Sequence, residues 1–173
     1  MKSYRCTICG EVCIGSERPS NCPFCGVEQK FILCLDKVDG ESLFKIKGMS
    51  NESTKNLIEA LNFETSNASF YKCASENGEN DSMKSVFRRL AKIEREHADI
   101  IRKYMDLDSI EFNEEECSTQ DEENITKARE RVKEAVTFYK NAALEARESK
   151  ISILFNALAE VEEGQYRLLN TLI

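Results

Sequence analysis

From Ser53 to Ile173 the chain contains no proline, and this unbroken stretch constrains the fold more than any other feature. Proline removes a backbone donor and clashes with the preceding turn, so its absence leaves helices free to run for many turns. Apolar residues recur through the stretch at three- and four-residue spacing, the period of a helix with one buried face. Four helices are expected. The first runs from about Thr54 to Ala74, with Leu57, Leu61, Glu64, Ala68 and Tyr71 on one face. The second covers Asp81 to about Met105, with Leu90, Glu94, His97 and Ile101 in line. The third spans about Glu123 to Glu148, carrying Arg131, Glu134, Phe138 and Ala142. The fourth, Lys150 to Ile173, aligns Leu158, Glu162, Gln165, Leu169 and Leu172. Such stripes pack as a four-helix bundle.

The first 36 residues are of another kind. They hold both prolines, Pro19 and Pro23, and three of the seven glycines. Phe31 to Leu35 (FILCL) reads as a short strand. Residues 37–52 form a linker, in which LFKIK is a strand or an extended segment, and residues 53–173 form the bundle. The chain carries eight cysteines, of which four form Cys6-x-x-Cys9 and Cys22-x-x-Cys25. A secreted disulfide framework would spread cysteines behind an export signal, whereas here they crowd a polar N-terminus. Two such pairs let four thiolates converge tetrahedrally on one ion, zinc or a single iron. Gly10 and Gly26 follow each pair directly, where positive φ lets backbone N–H groups face the sulfurs. Cys13 receives no ligand role. Cys34 and Cys73 read as small apolar residues, and Cys117 lies in a polar loop open to oxidation.

Composition excludes several functions. Apolar residues make up 41% of the chain, too many for a disordered tail. No apolar run approaches the roughly 20 residues that span a bilayer, and no signal-peptide region precedes the cysteines, so a soluble, cytoplasmic protein with no membrane partner is expected. The net charge of −7 resides in Glu111 to Glu123, which holds seven acids and no Lys or Arg. With no basic stripe to follow phosphates, no nucleic-acid partner is expected. The acidic stretch reads as a solvated loop between helices.

A second constellation is Glu94-x-x-His97 within FRRLAKIEREHADII. Residues three apart share a helix face, so carboxylate and imidazole can bind one metal together. His97 is the only histidine. Glu64, Glu134 and Glu162 fall on the inward stripes of the other helices. Four converging carboxylates repel one another unless cations lie between them.

The cysteine stretch, YRCTICG at Tyr4 to Gly10 and CPFCG at Cys22 to Gly26 with twelve residues between Cys9 and Cys22, resembles the rubredoxin-like domain of rubrerythrins. Thr54 to Tyr71 is similar to the first helix of that family's ferritin-like bundle, with its Glu at Glu64. The second helix matches at Glu94 and His97. The tyrosine of TFYKNAALEAR aligns at Tyr139 and puts the helix-three ligand at Glu134. LFNALAEVEEGQYRLL puts the last Glu at Glu162. The order of the two domains is that of reverse rubrerythrins. The resemblance implies a mainly α fold, with a small rubredoxin-like Cys₄ domain followed by a ferritin-like four-helix bundle. It also implies an iron on Cys6, Cys9, Cys22 and Cys25, and an iron pair in the bundle with Tyr71 and Tyr139 beside it. The implied activity is reduction of hydrogen peroxide, with electrons supplied by a nicotinamide-linked reductase or a rubredoxin. A homodimer is implied as well, with one subunit's cysteine module near the other's bundle.

Two positions depart from the family pattern. Gln165 stands where Glu162-x-x-His would be completed, and an amide oxygen is a weaker ligand than imidazole. Arg131 replaces a further Glu and is expected to pair with Glu134 or Glu162. Gly164, inside the fourth helix, admits close packing or access to the site. These departures predict a weakened, asymmetric or lost second iron position. The rival readings are an electron carrier whose bundle holds one metal or none, and a zinc-stapled interaction module without redox function.

Overall fold

A computed structural model describes residues 1–172. The N-terminal module is a three-stranded antiparallel sheet in the order β2-β1-β3, formed by β1 (Lys2–Cys6), β2 (Val12–Gly15) and β3 (Ile32–Cys34). Register places Tyr4 opposite both Cys13 and Cys34, and Cys6 opposite Ile32. Short 3₁₀ turns at Gln29–Phe31 and Leu35–Lys37 flank β3. The expected FILCL strand is thus shorter, and β1 and β2 carry no alternating apolar pattern that would announce them. LFKIK is turn and coil, with its backbone tied to the bundle: Lys150 Nζ donates to the carbonyls of Ser42 at 2.6 Å and Lys45 at 3.1 Å.

Four helices follow: α1 (Asn51–Asn77), α2 (Asp81–Met105), α3 (Asp121–Glu145) and α4 (Ser149–Asn170). Their starts have local causes. Ser50 Oγ accepts from Ser53 N at 3.2 Å to cap α1. Asn80 Oδ1 accepts from Ser82 N at 2.8 Å and Met83 N at 3.2 Å to cap α2. Three acids open α3, where the helix dipole favours negative charge. The fourth helix ends at Asn170; its expected last residue, Ile173, lies outside the described residues. Helix α1 packs chiefly on α2, and α3 on α4, as two hairpins. Phe70, Phe87 and Phe155 are fully buried between them, each contributing roughly 1.5–3 kcal/mol.

The stripe on α3 differs from expectation. Ala128, Val132, Ala135, Tyr139 and Ala142 are buried, whereas Glu134 faces solvent and Arg131 and Phe138 are half-buried. Tyr139 and Glu134 are five residues apart, about 140° around the helix, so a buried Tyr139 turns Glu134 outward. The mostly small inward residues of α3 supply no metal donor.

Two cysteine readings are also corrected. Cys73, near the end of α1, is joined by a disulfide to Cys117 in the acidic loop, with Cα atoms 5.8 Å apart. The bond draws the loop onto the bundle, and Cys73 is therefore not merely an apolar filler. Cys34 lies in β3 with its thiol exposed.

Candidate metal centres

The two Cys-x-x-Cys pairs form matched knuckles. Gly10 N donates to Cys6 O, and Gly26 N to Cys22 O, each at 3.0 Å. Gly10 and Gly26 take φ of 82° and 81°, which closes each turn and which a side chain would strain. Cys6, Cys9, Cys22 and Cys25 are buried with their sulfurs converging. Cys6 Sγ lies 3.8 Å from Cys25 Sγ, and Cys9 Sγ 3.7 Å from Cys22 Sγ. Four sulfurs about 2.3 Å from one tetrahedral ion stand about 3.8 Å apart, so the donor set fits zinc or iron. Ile8 N reaches Cys6 Sγ at 3.4 Å and stabilises thiolate charge. Cys13 stands apart from the four.

The bundle brings together Glu64 from α1, Glu94 and His97 from α2, and Glu162 from α4, all buried. His97 Nδ1 is 3.4 Å from both Glu64 Oε2 and Glu94 Oε2, and 3.9 Å from Glu162 Oε1. Its other nitrogen, Nε2, lies 2.8 Å from the carbonyl of Cys25 in the second knuckle. A carbonyl only accepts, so Nε2 carries the proton and, in neutral imidazole, Nδ1 presents its lone pair to the carboxylates. That is the tautomer a metal ligand needs. No sequence signal marks the contact, because its acceptor is a backbone group.

The tyrosines and Gln165 complete the walls. Tyr139 donates its hydroxyl to Glu64 Oε1, and Gln165 Nε2 donates to Glu94 Oε1 at 2.6 Å. Tyr71 is buried with its hydroxyl unpartnered. Burial pushes both phenols well above the usual tyrosine value, Tyr71 with added repulsion from Glu94 and Glu162, so both remain O–H donors. Arg131 is not paired with Glu134 or Glu162. Its guanidinium donates to Ser66 Oγ at 2.8 Å, Asn67 Oδ1 at 3.2 Å and Glu115 Oε2 at 2.8 Å, and lies over the Phe70 ring. The charge expected near the carboxylates is thus spent on the acidic loop.

Without an ion, protons balance the cluster. Burial pushes the Glu64 carboxyl up to about 8, against the pull of His97. Burial, reinforced by Glu94 and Glu64, holds Glu162 well above the usual value. Burial alone would depress His97, but Glu64 and Glu94 overcome it and raise the imidazole well above its ordinary value. Folded Glu64 binds a proton that the unfolded chain releases above about 4.5. Its contribution is full below that pH and is lost as pH climbs through about 8, and raised His97 acts in the same direction. Thermal melts of the metal-free protein are expected to move to lower temperature between pH 5 and 8, and metal loading to flatten that trend.

A cleft of about 510 Å³ lies between α2, α4 and the second knuckle, and Gln165 separates it from this cluster. Leu90, Ile93, Val161 and Gly26 form its apolar walls, and Gly164 and Gln165 line it on α4. Gly164 does not serve close packing, because the nearest atom to an added Cβ would be Arg167 Nη2 at 3.9 Å. Gly164→Ala is therefore expected to fit and to stabilise α4 by up to about 1 kcal/mol in urea melts.

Comparison with known proteins follows this division of the chain. Residues 4–32 match the family model described as rubrerythrin, rubredoxin-like domain, and residues 55–173 match the rubrerythrin model. The chain belongs to the rubrerythrin family. Among characterised relatives, this rubrerythrin is 26% identical over 106 residues to reverse rubrerythrin-1 of Clostridium acetobutylicum, covering 57% of this chain and 59% of the relative. It thus spans less than two thirds of that relative's length. No solved structure matches it. Among the described residues, no helix is long and apolar enough to cross a membrane.

Proposed function

We propose that this rubrerythrin is an oxidoreductase that reduces hydrogen peroxide to water within the bundle. Its electrons are relayed by an iron on the four thiolates and supplied by a nicotinamide-linked reductase or a rubredoxin. The observation that carries this reading is the span of His97, from the Cys25 carbonyl at Nε2 to the carboxylates at Nδ1. Metal held by Glu64, Glu94, His97 and Glu162 would supply a redox-active Lewis acid. The chain's own residues do the rest. The cleft, apolar at Leu90, Ile93 and Val161, admits a small neutral oxidant. Gln165 stands between the cleft and Glu94, and the Tyr71 hydroxyl, kept protonated by burial, is available to donate a hydrogen bond.

Packing of the cysteine module on the bundle of its own chain makes this route short without a second subunit. Arg89 Nη2 donates to Pro23 O at 2.5 Å, and Lys30 pairs with Glu160 at 2.7 Å across the junction. The homodimer implied by the family belongs to the proposal but is not required for the contact.

A second reading, an electron-transfer or metal-binding protein without peroxide turnover, is favoured by the outward position of Glu134 and the amide at Gln165. The test is peroxide-dependent oxidation of a nicotinamide cofactor, with a reductase and the iron-loaded protein. Turnover well above that of free iron is expected, and turnover no greater than free iron would leave the second reading.

A further inference from the structure

We infer that the bundle is built to hold one divalent transition-metal ion, on Glu64, Glu94, His97 and Glu162, and not a carboxylate-bridged pair. The inference rests on the metal-binding reading above and fixes how many ions that site takes.

Donor atoms limit the number of ions. Two ions need roughly twice the donors of one, and a carboxylate oxygen that already accepts a hydrogen bond has one lone pair fewer to give. Glu64 Oε1 already accepts from the Tyr139 hydroxyl, and Glu94 Oε1 already accepts from the Gln165 amide at 2.6 Å. The remaining ligand atoms are Glu64 Oε2, Glu94 Oε2, His97 Nδ1, the two oxygens of Glu162 and the weaker amide oxygen Gln165 Oε1. All are buried and none has a hydrogen-bond partner. Six donors fill one coordination sphere but leave two ions poorly held.

Spacing agrees with the count. Ligands about 2.1 Å from one ion stand about 3.0–3.4 Å apart, and His97 Nδ1 is 3.4 Å from each of Glu64 Oε2 and Glu94 Oε2. Helix α3 offers nothing for a second ion, because Ala135 is the buried residue one turn before Tyr139 and Glu134 is exposed. On α4 the carboxylate of Glu94 fixes the Gln165 amide with its nitrogen inward. Gln165 Oε1 is left unpartnered, and the residue is 5% exposed where it lines the cleft.

With one ion in the bundle and one on the thiolates, an iron-loaded ferrous chain stores two electrons, one per iron. Reduction of one hydrogen peroxide to two waters consumes two electrons and two protons. The His97–Cys25 contact then joins the two halves of that store.

The test is an anaerobic titration of the metal-stripped full-length protein with ferrous iron, followed by elemental analysis and anomalous diffraction. Two ions per chain are expected, one on the four sulfurs and a single peak beside His97 Nδ1. Three per chain, with two peaks in the bundle, would overturn the inference. One per chain, on the sulfurs alone, would instead overturn the metal-binding reading beneath it. The double variant Ala135→Glu/Gln165→His supplies the missing donors and is expected to raise the count to three. A folded double variant that still binds two would show that these positions do not set the number.

Discussion

Exchanging His97 for alanine is expected to empty the bundle of metal and to lower stability by about 3–5 kcal/mol, the range for removing one partner of a buried charged pair. The imidazole is fully buried and serves two centres at once. On one side it is the only nitrogen donor among three carboxylates, and in the metal-free protein it is the cation that Glu64 and Glu94 face. On the other it satisfies the Cys25 carbonyl, and a buried carbonyl left without a partner costs about 1–3 kcal/mol. Elemental analysis with urea melts checks both effects. Protein loaded with iron on the four thiolates should keep its ferric colour in this variant, because none of those four ligands is altered.

Reducing the Cys73–Cys117 disulfide is expected to cost up to about 4 kcal/mol, the chain-entropy value for a link across 44 residues. The bond holds the acidic loop where Glu115 meets Arg131 and Ser66. Its loss should free that loop for proteolysis while the four helices persist. Urea melts of the Cys73→Ser/Cys117→Ser variant measure the effect without exposing the metal-binding thiols to a reductant. A midpoint unchanged from that of the parent would show that the loop is held by its ion pairs alone.

The sequence made some elements plain and hid others for physical reasons. Helix α2 was legible to its ends because charged residues alternate with a strict apolar stripe, and Glu94 and His97 lie on that stripe. The cysteine knuckles were legible because their spacing admits few other uses. Helix α3 was legible as a helix but not in phase. Its buried face is mostly alanine and valine, residues that mark an inward side weakly, and the more prominent Arg131, Glu134 and Phe138 suggested the neighbouring face. Strands β1 and β2 were hidden because knuckle closure pairs them, not an alternating pattern. The disulfide joins positions far apart in sequence, and no local signal links Cys73 to Cys117. Gln165 stood out as a departure, but its role as donor to Glu94 depends on the packing of α4 against α2.

The proposed coupling of a thiolate-held iron to a bundle-held iron through His97 is tested most directly by the kinetics of a single turnover. Ferrous, iron-loaded protein is mixed rapidly with hydrogen peroxide, and the visible band of the ferric thiolate centre is followed. The band is expected to grow in a first-order step after peroxide binding, at a rate independent of protein concentration. A band that fails to appear, or a rate that rises in proportion to protein concentration, would contradict that coupling.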